Sequence, residues 1–486
     1  MPFVSGCPSM PTRRIFLWVV LVLSLCLAWG RSLYAQDANS QSELILTLDD
    51  CVKLALENNE KLKGAGYSIE AAQGQVTEAR AAFWPIFEYE YRMGPVPTDA
   101  SRAFDAFFEG ELAMLNRVRV AIGFPLFASG QIQTATRMAK NGVSASVENQ
   151  TKDQESMVYQ IKQAYNGILL AHELQKLLTD AIDKINNELK KEDTEDVPSH
   201  SPYDLLKLKE FRTDMERRRA DVEQNGELAL EGLKIQLGID PELKVRLADE
   251  VLKPIIANLS SLENYVKASV EHRPEFHLLD LGVDTKRMQY RLEKEKLGPQ
   301  AGFAFFMEVG RTTSDIQNLK ATDDYNDPFN FSRAGLGLQI SGKLDFHGAA
   351  GRIKKAKAEY FKSVYDRMIA SRGLILEVRR AYLTAKRQHD NVSRARKAES
   401  MARQMMFLSK TNYDIGIGDE KDYTDALQIV LLTRGAYFQA IFEYNVAMAD
   451  LEQKVGQINY QQLTPNLPLE EYEMFKTDEP EDVAAQ

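Results

Sequence analysis

The chain has 486 residues, 27% of them charged and 44% hydrophobic, and its formal net charge is −10. This length supports a large core, and an acidic balance without an extended basic segment argues against nucleic acid as a partner. Two arginines precede an apolar run from Ile15 to Trp29, which predicts an export signal over residues 1–35; twin-arginine export is the alternative. Cleavage near Ala35 leaves only Cys51, so no intrachain disulfide is predicted.

The rest of the chain repeats itself. The segment that begins at Leu46 aligns without gaps with the segment that begins at Ser260, so that Pro85 meets Pro299. Each proline follows a long helical pattern, where a residue without an N–H ends a helix. The period is far longer than that of solenoid repeats, so the pattern predicts a duplicated module. The predicted parts are a first repeat over residues 46–257, a second over residues 258–457 and an acidic tail over residues 458–486.

Each repeat contains long helical segments. Their apolar residues step by three and four positions, as at Val158, Ile161 and Tyr165, which is the spacing of helices packed side by side. The pattern predicts helical hairpins over residues 131–238 and 351–457. The first helix is expected to be about 90 Å long, although helices alone do not exclude an ordinary coiled coil.

Four short segments have the period of two that is typical of strands. They are predicted over residues 86–94, 117–127, 301–310 and 333–346. The alternation places Tyr89, Val120, Phe305 and Leu338 on an apolar face and Glu90, Arg119 and Gln339 on a polar face. Such strands suit a tilted membrane barrel and also a half-buried soluble sheet, and the pattern alone favours neither.

The fourth of these segments contains a near match to a phosphate-binding loop. From Gly337 to Lys343 it follows G-x-x-x-x-G-K, but Leu344 replaces the hydroxyl that binds Mg²⁺, and the alternation is expected to run through it. The scattered histidines and the lack of G-x-S-x-G, H-E-x-x-H and C-x-x-C motifs also argue against an enzyme. The sequence therefore predicts neither catalysis, nor a cofactor, nor a structural metal.

Strand number limits the assembly. Four strands cannot close a barrel, and open sheet edges are not tolerated in lipid. Two copies would give eight strands with a filled interior, and three would give twelve with room for a lumen. The alternative is a periplasmic coiled-coil scaffold or adaptor without a membrane barrel, but an adaptor normally has one hairpin in a β-rich chain.

The order of these motifs resembles the TolC-like outer membrane efflux protein family. The motifs include "FPLFASGQ" with its counterpart "KLDFHG", and the pairs Ala164-Tyr165 and Ala381-Tyr382 within the long helices. The resemblance covers essentially the whole mature chain. It implies a mostly α fold with a small transmembrane β part. Three chains of four strands each would form a twelve-stranded outer-membrane β-barrel, continued by a long periplasmic α-helical coiled-coil tunnel.

The resemblance also implies a function and partners. The chain is expected to act as a passive duct of a tripartite efflux or type I secretion system in a Gram-negative bacterium. The expected partners are two further copies of the chain in a homotrimer, a periplasmic adaptor, an inner-membrane transporter and outer-membrane lipid.

By the same resemblance, the functional residues lie at the periplasmic tip. Asp422 and Asp425 match a cation-selective gate, although solvated acids near a helix N-terminus are the plainer alternative. Asp204 and Tyr413 match a latch that holds the tip closed. The residues that match the adaptor-docking tip are Ile415, Gly416, Ile417 and Gly418. In place of the family's usual arginine near this second turn stands Gly418 or Lys421, and the first turn, over residues 190–204, is acidic instead of short and apolar.

Overall fold

The computed structural model describes residues 44–99, 102–192, 202–313, 329–342, 345–415, 417 and 420–456. The predicted export signal and the predicted acidic tail lie outside these residues. Most of the described chain is helical.

Two very long helices dominate the fold. The helices of the described chain are α1 (Leu48–Asn58), α2 (Glu60–Ala81), α3 (Ala103–Glu109), α4 (Gln131–Glu192), α5 (Pro202–Leu237), α6 (Leu262–His272), α7 (Pro274–Glu295), α8 (Phe346–Asp414) and α9 (Glu420–Val455). Helices α4 and α8 contain 62 and 69 residues, which corresponds to about 90 and about 100 Å. Each is followed by a helix of 36 residues, so that α4–α5 and α8–α9 form two hairpins.

The strands form two sheets. The strands are β1 (Leu44–Leu46), β2 (Ile86–Pro97), β3 (Leu112–Phe127), β4 (Val245–Leu247), β5 (Gln300–Thr312) and β6 (Phe331–Ser341). Strands β1 and β4 pair in parallel, whereas the other four form an antiparallel sheet in the order β2-β3-β5-β6. The short elements β1, β4 and α3 were not predicted from the sequence.

Several ends of the predicted strands are wrong. Strand β3 begins at Leu112 instead of residue 117. The apolar–polar alternation is interrupted at Asn116, but the backbone pairing with β2 continues. The Asn116 side chain accepts a hydrogen bond of 2.7 Å from the Tyr91 hydroxyl. Strand β6 ends at Ser341 instead of residue 346. The reason is that Asp345 caps α8 by accepting the Gly348 N–H at 3.0 Å, so the second hairpin also begins before residue 351.

Each hairpin ends at a glycine in the left-handed region. Gly238 has φ +64°, and a Cβ there would lie 2.8 Å from the Asn58 carbonyl oxygen. Gly456 has φ +77°, and a Cβ there would lie 2.7 Å from the Arg273 Cα. Only glycine avoids both the strain and the clash. The last helix of each hairpin is thereby packed closely against the end of a short helix, α1 or α6.

The apolar core lies where the long helices meet these short helices. Fully buried residues of the first cluster include Cys51, Ile161, Leu233 and Ile441, and those of the second include Val378 and Leu451. Between the hairpins, the buried Asn445 side chain donates to Asn166 Oδ1 at 2.8 Å and to the Lys253 carbonyl at 2.9 Å. Because a buried amide is costly unless it is satisfied, this contact specifies how α9 lies against α4.

Candidate functional site

The four-stranded sheet has one apolar face. Its register places Tyr89 opposite Val120, and Leu338 opposite Phe303, on the same face. Tyr89 is 89% exposed and Leu338 is 62% exposed. A contiguous apolar surface of this kind indicates contact with something other than water.

The opposite face of the sheet is charged. One row across the four strands consists of Glu90, Arg119, Glu308 and Arg333, so the sign of the charge alternates from strand to strand. From the next row, Arg117 forms an ion pair with the buried Glu308. Opposite charges on neighbouring strands stabilise the pairing of those strands. Arg119 is exposed to solvent on this face.

The predicted gate aspartates lie in the first turns of α9. Asp422 is exposed, and Asp425 is partly buried. Asp425 Oδ1 lies 3.3 Å from Lys207 Nζ of α5, so an ion pair connects the tip ends of the two hairpins. Sequence reasoning missed Lys207, although a signal existed. The offset of 218 residues that relates Asp204 to Asp422 in the predicted repeat also relates Lys207 to Asp425.

The predicted latch is described only in part. The Tyr413 ring, near the end of α8, stacks on the Tyr423 ring of α9, with centroids 6.4 Å apart and an angle of 14° between the rings. Asp204 lies in the first turn of α5, but its side chain lies outside the described part of the chain. A contact between Tyr413 and Asp204 therefore stays a prediction.

The second turn presents apolar side chains at the tip. Ile415 is 61% exposed and Ile417 is 80% exposed. Gly416 and Gly418 lie outside the described residues.

The described residues show neither a metal site nor a membrane-spanning helix. Among them, no group of His, Cys, Asp and Glu side chains has an arrangement that could hold a metal ion. Across the same part of the chain, no helix is both long enough and apolar enough to cross a membrane.

Buried charges lie where the hairpins meet the short helices. Lys162 of α4 forms an ion pair with Glu452 of α9, and both side chains are largely buried. Glu155, seven residues before Lys162 on the same helix, is 6% exposed. Burial raises the pKa of the Glu155 carboxyl to about 8, an effect that the Glu275 carboxylate reinforces and the Arg273 guanidinium opposes. Glu155 is therefore largely protonated at neutral pH.

We expect the substitution Glu155→Gln to reduce the dependence of the free energy of unfolding on pH. Because its pKa in the folded chain is raised, Glu155 favours the folded state below its ordinary pKa, and this contribution is lost as the pH rises to about 8. Glutamine mimics the protonated acid at every pH. At alkaline pH the free energy of unfolding of the variant should therefore exceed that of the wild type by on the order of 3 kcal/mol. Circular dichroism in detergent, with thermal unfolding at about pH 5 and about pH 8, measures the difference.

Glu223→Gln is the matched control, because it removes an exposed carboxylate of α5. It should leave the pH dependence of the wild type unchanged. If the stability of Glu155→Gln depended on pH as that of the wild type does, Glu155 would be ionised in the folded protein.

Similar folds occur among solved membrane channels. A membrane protein from Pseudomonas aeruginosa superimposes with a TM-score of 0.70 at 16% identity, over 87% of this chain and 98% of that one. The CmeC outer membrane channel of Campylobacter jejuni superimposes with a TM-score of 0.68 at 17% identity, over 89% of each chain. This chain therefore shares its fold, with the long hairpins and the four-stranded sheet, with these membrane proteins.

Sequence comparison specifies the family within this class. Residues 51–193 and 266–457 match the model of the outer membrane efflux protein family, and the chain belongs to that family. It is also similar to the proteases secretion protein PrtF of Dickeya chrysanthemi, at 23% identity over 68% of this chain and 71% of that protein. The predicted resemblance is confirmed, and with it an outer-membrane location and a role as a duct in efflux or secretion.

Proposed function

We propose that three copies of this chain close one barrel and one helical tunnel, and that the assembly is a passive duct across the outer membrane. The observation that carries the proposal is the four-stranded sheet, which has two open edges, one apolar face and one charged face. The apolar face contacts lipid, and the charged face lines the lumen.

The sheet edges support closure by neighbouring copies. Strands β2 and β6 are the edges of the described sheet, and they run in opposite directions because all neighbours in the sheet are antiparallel. Strand β6 of one copy can therefore pair with β2 of the next in the same antiparallel manner. In lipid such pairing is required, because an unpaired edge leaves backbone groups without partners.

The charged face supports three copies over two. Eight strands enclose an interior filled by side chains, whereas twelve leave space for water. Each of the four strands has at least one arginine or glutamate side chain on this face, and an exposed arginine such as Arg119 needs solvent or a partner. A hydrated lumen meets that need.

Helix α8 supports the same assembly in the tunnel. Its exposed apolar residues Tyr365, Ile369, Leu376 and Leu383 are between 60% and 69% exposed. Their spacing of four, seven and seven positions places them on one face of the helix. Packing against helices of neighbouring copies would bury this stripe.

The tip and the relatives support the proposed partners. Ile415 and Ile417 offer apolar contacts to a periplasmic adaptor, which in turn connects the duct to an inner-membrane transporter. The family name supports efflux, and the name of PrtF supports protein secretion. Specificity for the exported substrate then belongs to the transporter.

Membrane fractionation and mass analysis test the proposal. The full chain should sediment with the outer membrane, require detergent for extraction and have three times the mass of one chain in detergent solution. A water-soluble monomer or dimer in the periplasmic fraction would contradict the duct and favour the scaffold alternative.

A further inference from the structure

A lysine contacts one of the two gate aspartates. Lys207 Nζ of α5 lies 3.3 Å from Asp425 Oδ1 of α9, and the two side chains are 43% and 46% exposed. Helix α5 packs on α4, whereas α9 packs on α8 and α4. The pair therefore joins the tip ends of two different hairpins.

The two residues also occupy equivalent positions of the predicted repeat. Lys207 and Asp425 are separated by 218 residues, the same offset that separates Asp204 from Asp422 in the two hairpins. At this position, the hairpin of the first repeat has a lysine and the hairpin of the second repeat has an aspartate. In a trimer with six hairpins, lysine and aspartate would alternate around the axis at this level.

We propose that Lys207 is a charge-setting residue of the gate. Paired with Asp425, it leaves each chain with one net negative charge from Lys207, Asp422 and Asp425, so that three chains present three negative charges instead of six. The pair also has to break when the two hairpins separate. This inference rests on the proposed trimeric duct and adds a residue for which the resemblance offers no counterpart.

Ion selectivity is the appropriate measurement. An exposed ion pair contributes little to stability, but fixed charges around a narrow axis strongly affect the concentration of ions within it. Lys207 should therefore act on selectivity and block while leaving folding and assembly unchanged.

The first experiment compares Lys207→Gln with Lys209→Gln in planar bilayers. Lys209 is exposed two positions along the same helix, so its replacement removes an equal charge. In Lys207→Gln, the ratio of cation to anion permeability should rise, and the blocking concentration of hexamminecobalt(III) should fall on the order of tenfold, because three cations near the axis are removed. Lys209→Gln should behave like the wild type. Equal effects of the two variants would overturn the proposal.

A charge reversal tests the contact between the two residues. Lys207→Asp places two carboxylates in contact and should raise the conductance of the resting channel by separating the hairpins. The combination Lys207→Asp with Asp425→Lys restores opposite charges and should return the conductance to the wild-type value. A combined variant that conducts like Lys207→Asp would overturn the pairing.

Failure of this inference is distinguishable from failure of the proposed function. If the wild-type protein forms no channels, the duct itself is contradicted. If it forms channels that respond to loss of Asp422 and Asp425 but not to loss of Lys207, only the role of Lys207 is contradicted.

Discussion

Replacing Asp422 and Asp425 together by alanine should remove most of the cation selectivity of the channel. The two aspartates lie three residues apart near the start of α9, so they share one face of the helix. Three copies would place six carboxylates around one axis. Block by hexamminecobalt(III) should weaken at least about tenfold, because charges within a Debye length interact with energies of order 1 kcal/mol each. Planar-bilayer recordings of reversal potential and block measure both effects.

Asp180 and Asp183 provide the matched control. They are exposed and three residues apart on α4, which belongs to the other hairpin. Their double replacement by alanine removes the same charge and should change selectivity much less. If the Asp422 and Asp425 variant conducts and selects like the wild type, the constriction lies elsewhere and the aspartates only favour the N-terminus of a helix.

Replacing Val120 by arginine should destabilise the membrane-inserted protein by about 2–4 kcal/mol per chain, the cost of a charge at a lipid-facing position near the bilayer midplane. Val120 lies near the middle of β3 on the apolar face, opposite Tyr89 and Met307. Gln339→Arg adds the same charge on the polar face and should have little effect. The amount of trimer in the outer membrane and denaturant unfolding in lipid vesicles provide the measurements.

Thiol labelling tests the same two faces without adding charge. Cysteines at positions 90 and 339, on the polar face, should react with a water-soluble thiol reagent in intact membranes, and cysteines at positions 89 and 338 should not. The native Cys51 is fully buried and should contribute little background. The reverse pattern of labelling would exclude a barrel with this orientation.

The sequence by itself determined the long helices, the four long strands and the division of those strands into two faces. Periodicity is a local property, and it was pronounced along α4 and along β2 and β5. Local pattern also placed Asp422 and Asp425 together, because residues three apart on a helix share a face whatever the rest of the chain does. The strand ends were less well determined, since Asp345 ended the pattern of β6 by capping a helix.

Only the tertiary structure decided which distant groups meet. The pairing of β1 with β4 joins residues about 200 positions apart, and neither strand is long enough to have a periodic pattern. Glu155 follows the helical pattern of α4 as any polar residue would, and only the packing of α4 against its neighbours buries it. The contact of Lys207 with Asp425 depends on two hairpins lying side by side. Such contacts depend on closing long loops and satisfying buried groups, which periodicity does not encode.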